Sequence, residues 1–217
     1  MNGAALLSSL RCPVIPVVVI DRLTDAVPLA DALLRGGISA LEITLRTPAG
    51  LDAISAMKQA FPESMIGAGT VCSKQDYDRA AAAGADFIVS PGVTNALFGA
   101  AEHHALPFLP GAVTASEILN AIENGYSVLK FLPAETSGGA PAISALEGPF
   151  PGVSFMPTGG ITRDKLGTYL ALNSVSAVGG SWLTPKQMIA DQAWDDIYAE
   201  AVETVAQAEA IKTGDGQ

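Results

Sequence analysis

The chain has 217 residues, 49% of them hydrophobic and 16% charged, with a formal net charge of −10. That length suits eight βα units, which need about 200 to 250 residues, and the composition excludes a disordered chain. The acidic balance excludes a nucleic-acid footprint, because a phosphate backbone would be repelled overall, whereas a small anion stays compatible because local groups set the potential inside a pocket.

The first residues, MNGAALLSSLRCPVIPVVVI, lack an early basic region, and Pro13 and Pro16 interrupt an apolar run too short to span a bilayer. A soluble, cytoplasmic protein is expected, with a short helix over 4–10 covering the floor of a barrel. Short apolar runs then alternate with helical patterns. Strands are predicted over 14–20, 40–45, 65–69, 87–89, 106–109, 127–131, 154–157 and 177–178. Helices are predicted over 27–35, 49–60, 74–83, 96–103, 116–124, 140–146 and 164–172, with a long final helix over 193–210 and a frayed tail over 213–217. Gly36–Gly37, Gly84 and Gly125 follow helices as left-handed caps do, and Ser73, Ser116 and Thr162 precede helices as N-caps. Strict alternation of α and β with continuously apolar strands implies a parallel sheet covered by helices. Eight units favour a closed (β/α)8 TIM barrel over an open doubly wound sheet, and no GxGxxG follows the first strand. One domain over 1–217 is expected.

Active sites of such barrels lie at the C-terminal ends of the strands, so polar residues there carry the information. Lys58, Lys74, Lys165, Lys186 and Lys212 fall in helix or loop patterns, but Lys130 stands inside the apolar strand SVLKFLP. An unpaired buried ammonium costs several kcal/mol. Two readings stand: a desolvated, neutral amine able to attack a ketone, or a structural lysine paired to a carboxylate. In ALEITLRT, Glu42, Thr44 and Arg46 share one strand face. If that face is the lumen, Glu42 shuttles protons or offsets Lys130, and Arg46 clamps a carboxylate; the alternative is a buried Glu42–Arg46 pair.

The ends of strands seven and eight, PTGGIT and VGGSWL, bring Thr158, Gly159, Gly160, Gly179, Gly180 and Ser181 to the region where barrels often bind phosphate. Tight turns needing positive φ are the alternative use for those glycines. Thr70 lies at the mouth in GAGTV, where it bonds a substrate carboxylate or caps a turn. Pro91–Gly92 and Pro110–Gly111 read as rigid turns. Cys12 and Cys72 lie far apart outside any CxxC, and His103 and His104 are adjacent and make a poor metal pair, so neither a disulfide scaffold nor a metal site is expected.

The motifs LEITLRT, GAGTV, IVSPG, KFLPAE, PTGGI and GGSWL, in that order, resemble the 2-keto-3-deoxy-6-phosphogluconate (KDPG) aldolases, including those that also act on 4-hydroxy-2-oxoglutarate (KHG). The resemblance covers nearly the whole chain. It implies a class I, metal- and cofactor-independent aldolase of the Entner-Doudoroff type, working as a homotrimer on a phosphorylated keto acid. Lys130 then corresponds to the imine-forming lysine and Glu42 to the general acid/base. Arg46 and Thr70 correspond to the residues holding the pyruvyl carboxylate, with Pro91, Phe131 and Thr158 also at the substrate. Gly159, Gly160, Gly179, Gly180 and Ser181 correspond to the phosphate site. Leu132 departs from the pattern, because phenylalanine is expected there. An aldolase for the galactonate epimer, a phosphate-binding barrel isomerase or epimerase, and a non-catalytic phosphosugar-binding barrel are the competing readings.

Overall fold

A computed structural model describes residues 2–213, so the expected frayed tail falls almost wholly outside the described residues. A short helix α1 (Gly3–Ser9) precedes the first strand, β1 (Val14–Val18). The chain continues through α2 (Ala26–Arg35), β2 (Ala40–Thr44), α3 (Gly50–Ala60), β3 (Met65–Gly69), α4 (Lys74–Ala82) and β4 (Ile88–Val89). Next come α5 (Asn95–His104), β5 (Phe108–Leu109), α6 (Ala115–Glu123), β6 (Val128–Phe131), α7 (Gly139–Glu147) and β7 (Ser154–Pro157). The last elements are α8 (Leu166–Leu170), β8 (Val178–Gly180), α9 (Lys186–Ala190) and α10 (Trp194–Thr213).

All strand pairs are parallel. Six strands run in the order β5-β4-β3-β2-β1-β8, and β6 pairs with β7. Two bridges close the ring: Gly111 with Lys130, and Thr158 with Gly179. At the first, the Lys130 N–H donates to the Pro110 carbonyl at 2.9 Å, and the Ala112 N–H donates to the Lys130 carbonyl at 2.9 Å. The barrel therefore leaves no open sheet edge.

Most helices begin and end as their termini dictate. Gly37, Gly84 and Gly125 all adopt positive φ just past their helices. Ser73 caps α4 by accepting the Asp76 N–H. At α6, however, the cap is Thr114 and not Ser116: Thr114 accepts from the Glu117 N–H while the Glu117 carboxylate accepts from the Thr114 N–H, a reciprocal box written in the sequence as TASE. Thr162 makes no capping bond, because a 3-10 turn (Arg163–Lys165) intervenes before α8, which is only five residues long. The short α9 has no counterpart among the expected helices.

Strand alternation divides the interior in two. Ile15, Ala40, Phe87, Val89, Leu109, Val128, Met156 and Ala177 face inward and form one apolar cluster with Leu6, Leu7 and Leu10. Thus α1 and the residue after it plug the barrel floor, as expected. The opposite strand faces, among them Leu41, Ile43, Ile66, Phe108, Leu129, Phe131 and Phe155, pack against the helices.

Glycines in β3 and β8 make this lumen possible. A Cβ on Gly67 would lie 2.4 Å from the Phe87 ring, one on Gly69 would lie 2.2 Å from Glu42 Oε1, and one on Gly179 would lie 2.1 Å from Thr158 Oγ1. Large inward side chains on one strand thus sit over bare backbone on the next. Gly67→Ala overpacks the fully buried Phe87 and is expected to cost about 1–3 kcal/mol of stability, read as a lower urea midpoint with an unchanged slope.

Candidate active site

Above the apolar plug the lumen turns polar. Glu42 on β2 and Lys130 on β6 project from strands half a turn of the barrel apart. Lys130 Nζ donates to Glu42 Oε1 at 2.7 Å, with side-chain exposures of 4% and 0%. The second carboxylate oxygen, Glu42 Oε2, is also buried and accepts no hydrogen bond from any described residue. A buried acceptor left in this way ordinarily marks a place where water or a ligand group belongs. The pairing decides one alternative directly: among the described residues Glu42 pairs with Lys130, and not with Arg46.

Arg46 lies one turn beyond β2 and is exposed, at the mouth. Its Nε donates to Thr70 Oγ1 at 3.2 Å. Thr70 follows β3 with φ of 59°. A β-branched residue in the left-handed region stores strain on the order of 1–3 kcal/mol, which surrounding structure must hold in place. Cys72 sits beside this pair and donates its thiol to the Thr70 carbonyl at 3.4 Å. Burial and the Asp76 carboxylate push that thiol above its usual range, against the pull of Arg46.

Pro91 is exposed at the end of β4, and its carbonyl would lie 2.3 Å from a Cβ on Gly111. The loops after β4 and β5 therefore touch through bare backbone. Thr158, 4% exposed, points inward past β7 toward Gly179. Gly159 and Gly160 follow with φ of 102° and 76°, a turn that L side chains rarely adopt. Gly179 and Gly180 end β8, where a Cβ on Gly180 would lie 2.3 Å from the Trp182 ring. Ser181 is exposed beside them. It opens a turn closed by the Thr184 N–H donating to its carbonyl at 3.2 Å, so it does not sit at the start of an α-helix, the next of which begins at Lys186.

The structure does not bring Phe131 to this site. Phe131 is 1% exposed and packs edge-on against Phe155, with centroids 5.9 Å apart, in the layer between barrel and helices. The reason is strand parity: Lys130 faces in, so its neighbour faces out. Leu132 shares the parity of Lys130, and its Cδ1 lies 3.5 Å from where a Cβ on Gly159 would be. A second residue, Glu135, had no role assigned from the sequence, although it ends the KFLPAE phrase. Its carboxylate accepts from Tyr169 and Lys165, two contacts far apart in sequence that nothing local announces.

Residues 8–200 match the family described as KDPG and KHG aldolase. The chain belongs to that family. Similar proteins include the 2-dehydro-3-deoxy-phosphogluconate aldolase of Dickeya dadantii, 46% identical over 198 residues that make up 91% of this chain and 93% of that protein. The KHG/KDPG aldolase of Escherichia coli is 45% identical over 193 residues, 89% of this chain and 91% of that protein. Among solved structures, the KDPG aldolase of Legionella pneumophila with pyruvate captured at low pH as a covalent carbinolamine superposes with a TM-score of 0.91 at 41% identity, covering 94% of this chain and 98% of that one.

For this KDPG/KHG-type barrel, then, the strand-end residues named from sequence converge on one end, with Phe131 the exception. No helix of the described residues is long and apolar enough to cross a membrane. The Lys130–Glu42 pair also sets an energetic expectation. Lys130→Met leaves a carboxylate buried without its counter-charge and should cost about 3–5 kcal/mol, while adding Glu42→Gln should recover much of that loss. Urea unfolding of the two single variants and the double variant measures the coupling.

Proposed function

We propose that the chain cleaves 2-keto-3-deoxy-6-phosphogluconate to pyruvate and glyceraldehyde 3-phosphate through a Schiff base on Lys130, and that it also accepts 4-hydroxy-2-oxoglutarate. The observation that carries this reading is the buried 2.7 Å contact from Lys130 Nζ to Glu42 Oε1, beside an Oε2 that lacks a partner among the described residues. A nucleophile and a proton-transfer group touching each other in a buried lumen are what imine chemistry needs.

The chemistry follows from that geometry. Glu42 takes a proton from the Lys130 ammonium along their hydrogen bond, and the free amine adds to the C2 ketone. Glu42 returns the proton to the carbinolamine hydroxyl, water leaves, and a cationic imine remains. Glu42, now a carboxylate, removes the proton from the C4 hydroxyl. The C3–C4 bond breaks, its electron pair passes to the iminium, and an enamine forms as the aldehyde departs. Glu42 protonates the enamine carbon, and water hydrolyses the imine to pyruvate and free lysine. Positioned acid/base help of this kind is typically worth about 10²–10⁴-fold.

Arg46, steadied by Thr70, is suited to hold the C1 carboxylate at the mouth, with Pro91 and Thr158 bordering the keto acid. The backbone of Gly159, Gly160, Gly179 and Gly180 and the Ser181 hydroxyl are suited to the phosphate at the other end. The one-domain barrel needs no metal or cofactor in this scheme. A homotrimer in the cytoplasm belongs to the same reading, on family resemblance.

Two measurements test it. Incubation with pyruvate and borohydride should fix a reduced pyruvyl group on the peptide carrying Lys130, and Lys130→Ala should abolish both labelling and turnover; wild-type turnover in that variant ends the scheme. Ser181→Ala should raise KM for the phosphorylated substrate on the order of tenfold, one hydrogen bond to a charged group, and change KM for unphosphorylated keto acids little.

A further inference from the structure

The loop after β6 does more than carry the chain away from Lys130. The Ala134 N–H donates to the Thr158 carbonyl at 2.8 Å, and the Glu135 N–H donates to the Gly159 carbonyl at 3.2 Å. A Cβ on Gly160 would lie 2.9 Å from both Cβ and Cγ of Glu135, so the Glu135 methylenes press directly on that turn. The carboxylate reaches further. Its two oxygens accept from Tyr169 on α8 and from Lys165 in the 3-10 turn before α8. Those bonds hold the Glu135 carboxyl below the usual carboxylate range, Lys165 first and Tyr169 second. One side chain thus grips the segment that follows β7 at its beginning and its end. Gly159 and Gly160, where that segment begins, both have positive φ.

We propose that Glu135 is a positioning residue for phosphate recognition, holding the Gly159–Gly160 turn with its N–H groups toward the ligand through the Tyr169 and Lys165 contacts. This rests on the phosphate reading of the β7 and β8 turns. An anionic carboxylate so near a phosphate would repel it if left alone; Lys165 neutralises it. The Glu135–Lys165 pair therefore shapes the turn without itself adding net charge. Glu135 touches no reacting atom, so its effect belongs to recognition of the phosphorylated end and not to the imine steps at Lys130.

The test compares kcat/KM for phosphorylated and unphosphorylated 2-keto-4-hydroxy acids, together with competitive inhibition by inorganic phosphate. Glu135→Ala should lower the ratio of the two kcat/KM values on the order of tenfold and weaken phosphate inhibition to a similar extent. Tyr169→Phe, which removes one grip and keeps the charge, should shift both readings the same way by less. Glu135→Gln keeps the methylenes against Gly160 and an acceptor for Tyr169, and should restore most of the ratio. For Glu135→Ala, a uniform loss on both substrates, an unchanged ratio or tighter phosphate inhibition overturns the assignment. If Glu135→Ala does not fold, Tyr169→Phe decides by the same readings. Ser181→Ala separates the two claims. If it is selective and the Glu135 variants are not, only the positioning role falls; if it is not selective, the phosphate reading falls and takes this inference with it.

Discussion

The upper barrel is organised around two opposite charges held together deep in the lumen, both nearly buried. Lys130 and Glu42 come from strands on opposite sides of the ring, 88 residues apart, and meet at 2.7 Å. Each charge alone would carry a desolvation cost of several kcal/mol, and among the described residues each finds its ion-pair partner only in the other. Their neighbours are chosen accordingly. Gly69 must lack a side chain because Glu42 Oε1 occupies that space. Below them Phe87, Leu109 and Met156 fill the lumen with α1 as a stopper, so the pair has a dry floor. A well-packed apolar pair of equal volume would serve stability as well or better. The charges are therefore explained by what an amine and a carboxylate do together, not by what they add to the fold.

Depth then sorts the roles. The groups suited to bond making and proton transfer are at the bottom of the polar zone, with exposures of 0% for Glu42 and 3% for Lys130. The groups suited to holding a charged ligand lie at the rim, where Arg46 and Ser181 are exposed and Thr70 is half-buried. Charge at the rim stays hydrated and adaptable, while charge at depth interacts strongly because little solvent screens it. The strained Thr70 backbone and the left-handed Gly159–Gly160 turn fall on that rim too, where backbone geometry and not side-chain bulk shapes the entrance.

Much of this was legible before any coordinates. Period-two alternation put Glu42, Thr44 and Arg46 on one face, and an isolated lysine in an apolar strand singled out Lys130. The same rule, carried one residue further, excludes Phe131 from the lumen, because successive residues of a strand face opposite ways. Resemblance to a family phrase had outweighed parity there. Other features had no local signal. The mutual contact of Lys130 and Glu42 depends on which strands stand opposite in the closed ring. The positive φ of Thr70 runs against the preference of a β-branched residue, so composition points the wrong way. The short α9 and the broken start of α8 have too few turns for a helical period to register. The cap at Thr114, by contrast, was readable in TASE, and the nearer Ser116 obscured it.

The phrase KFLPAE shows how one short stretch serves two distant ends of the site. Lys130 points into the lumen, Phe131 locks the strand to the helices against Phe155, and Leu132 returns to the inner side beside Gly159. Ala134 and Glu135 then bond the carbonyls of Thr158 and Gly159. Because Phe131 is fixed in a close-packed layer, Lys130 cannot slide along the barrel without moving that layer, and interiors of this density resist such shifts. The backbone after the lysine is tied just as firmly to the glycine turn. The distance from the amine to that turn is thereby set by a few rigid residues of one strand and loop. On the phosphate reading proposed above, a substrate with an anion at one end and a ketone at the other would be measured against this span, and residues remote from the chemistry would contribute to selecting its length.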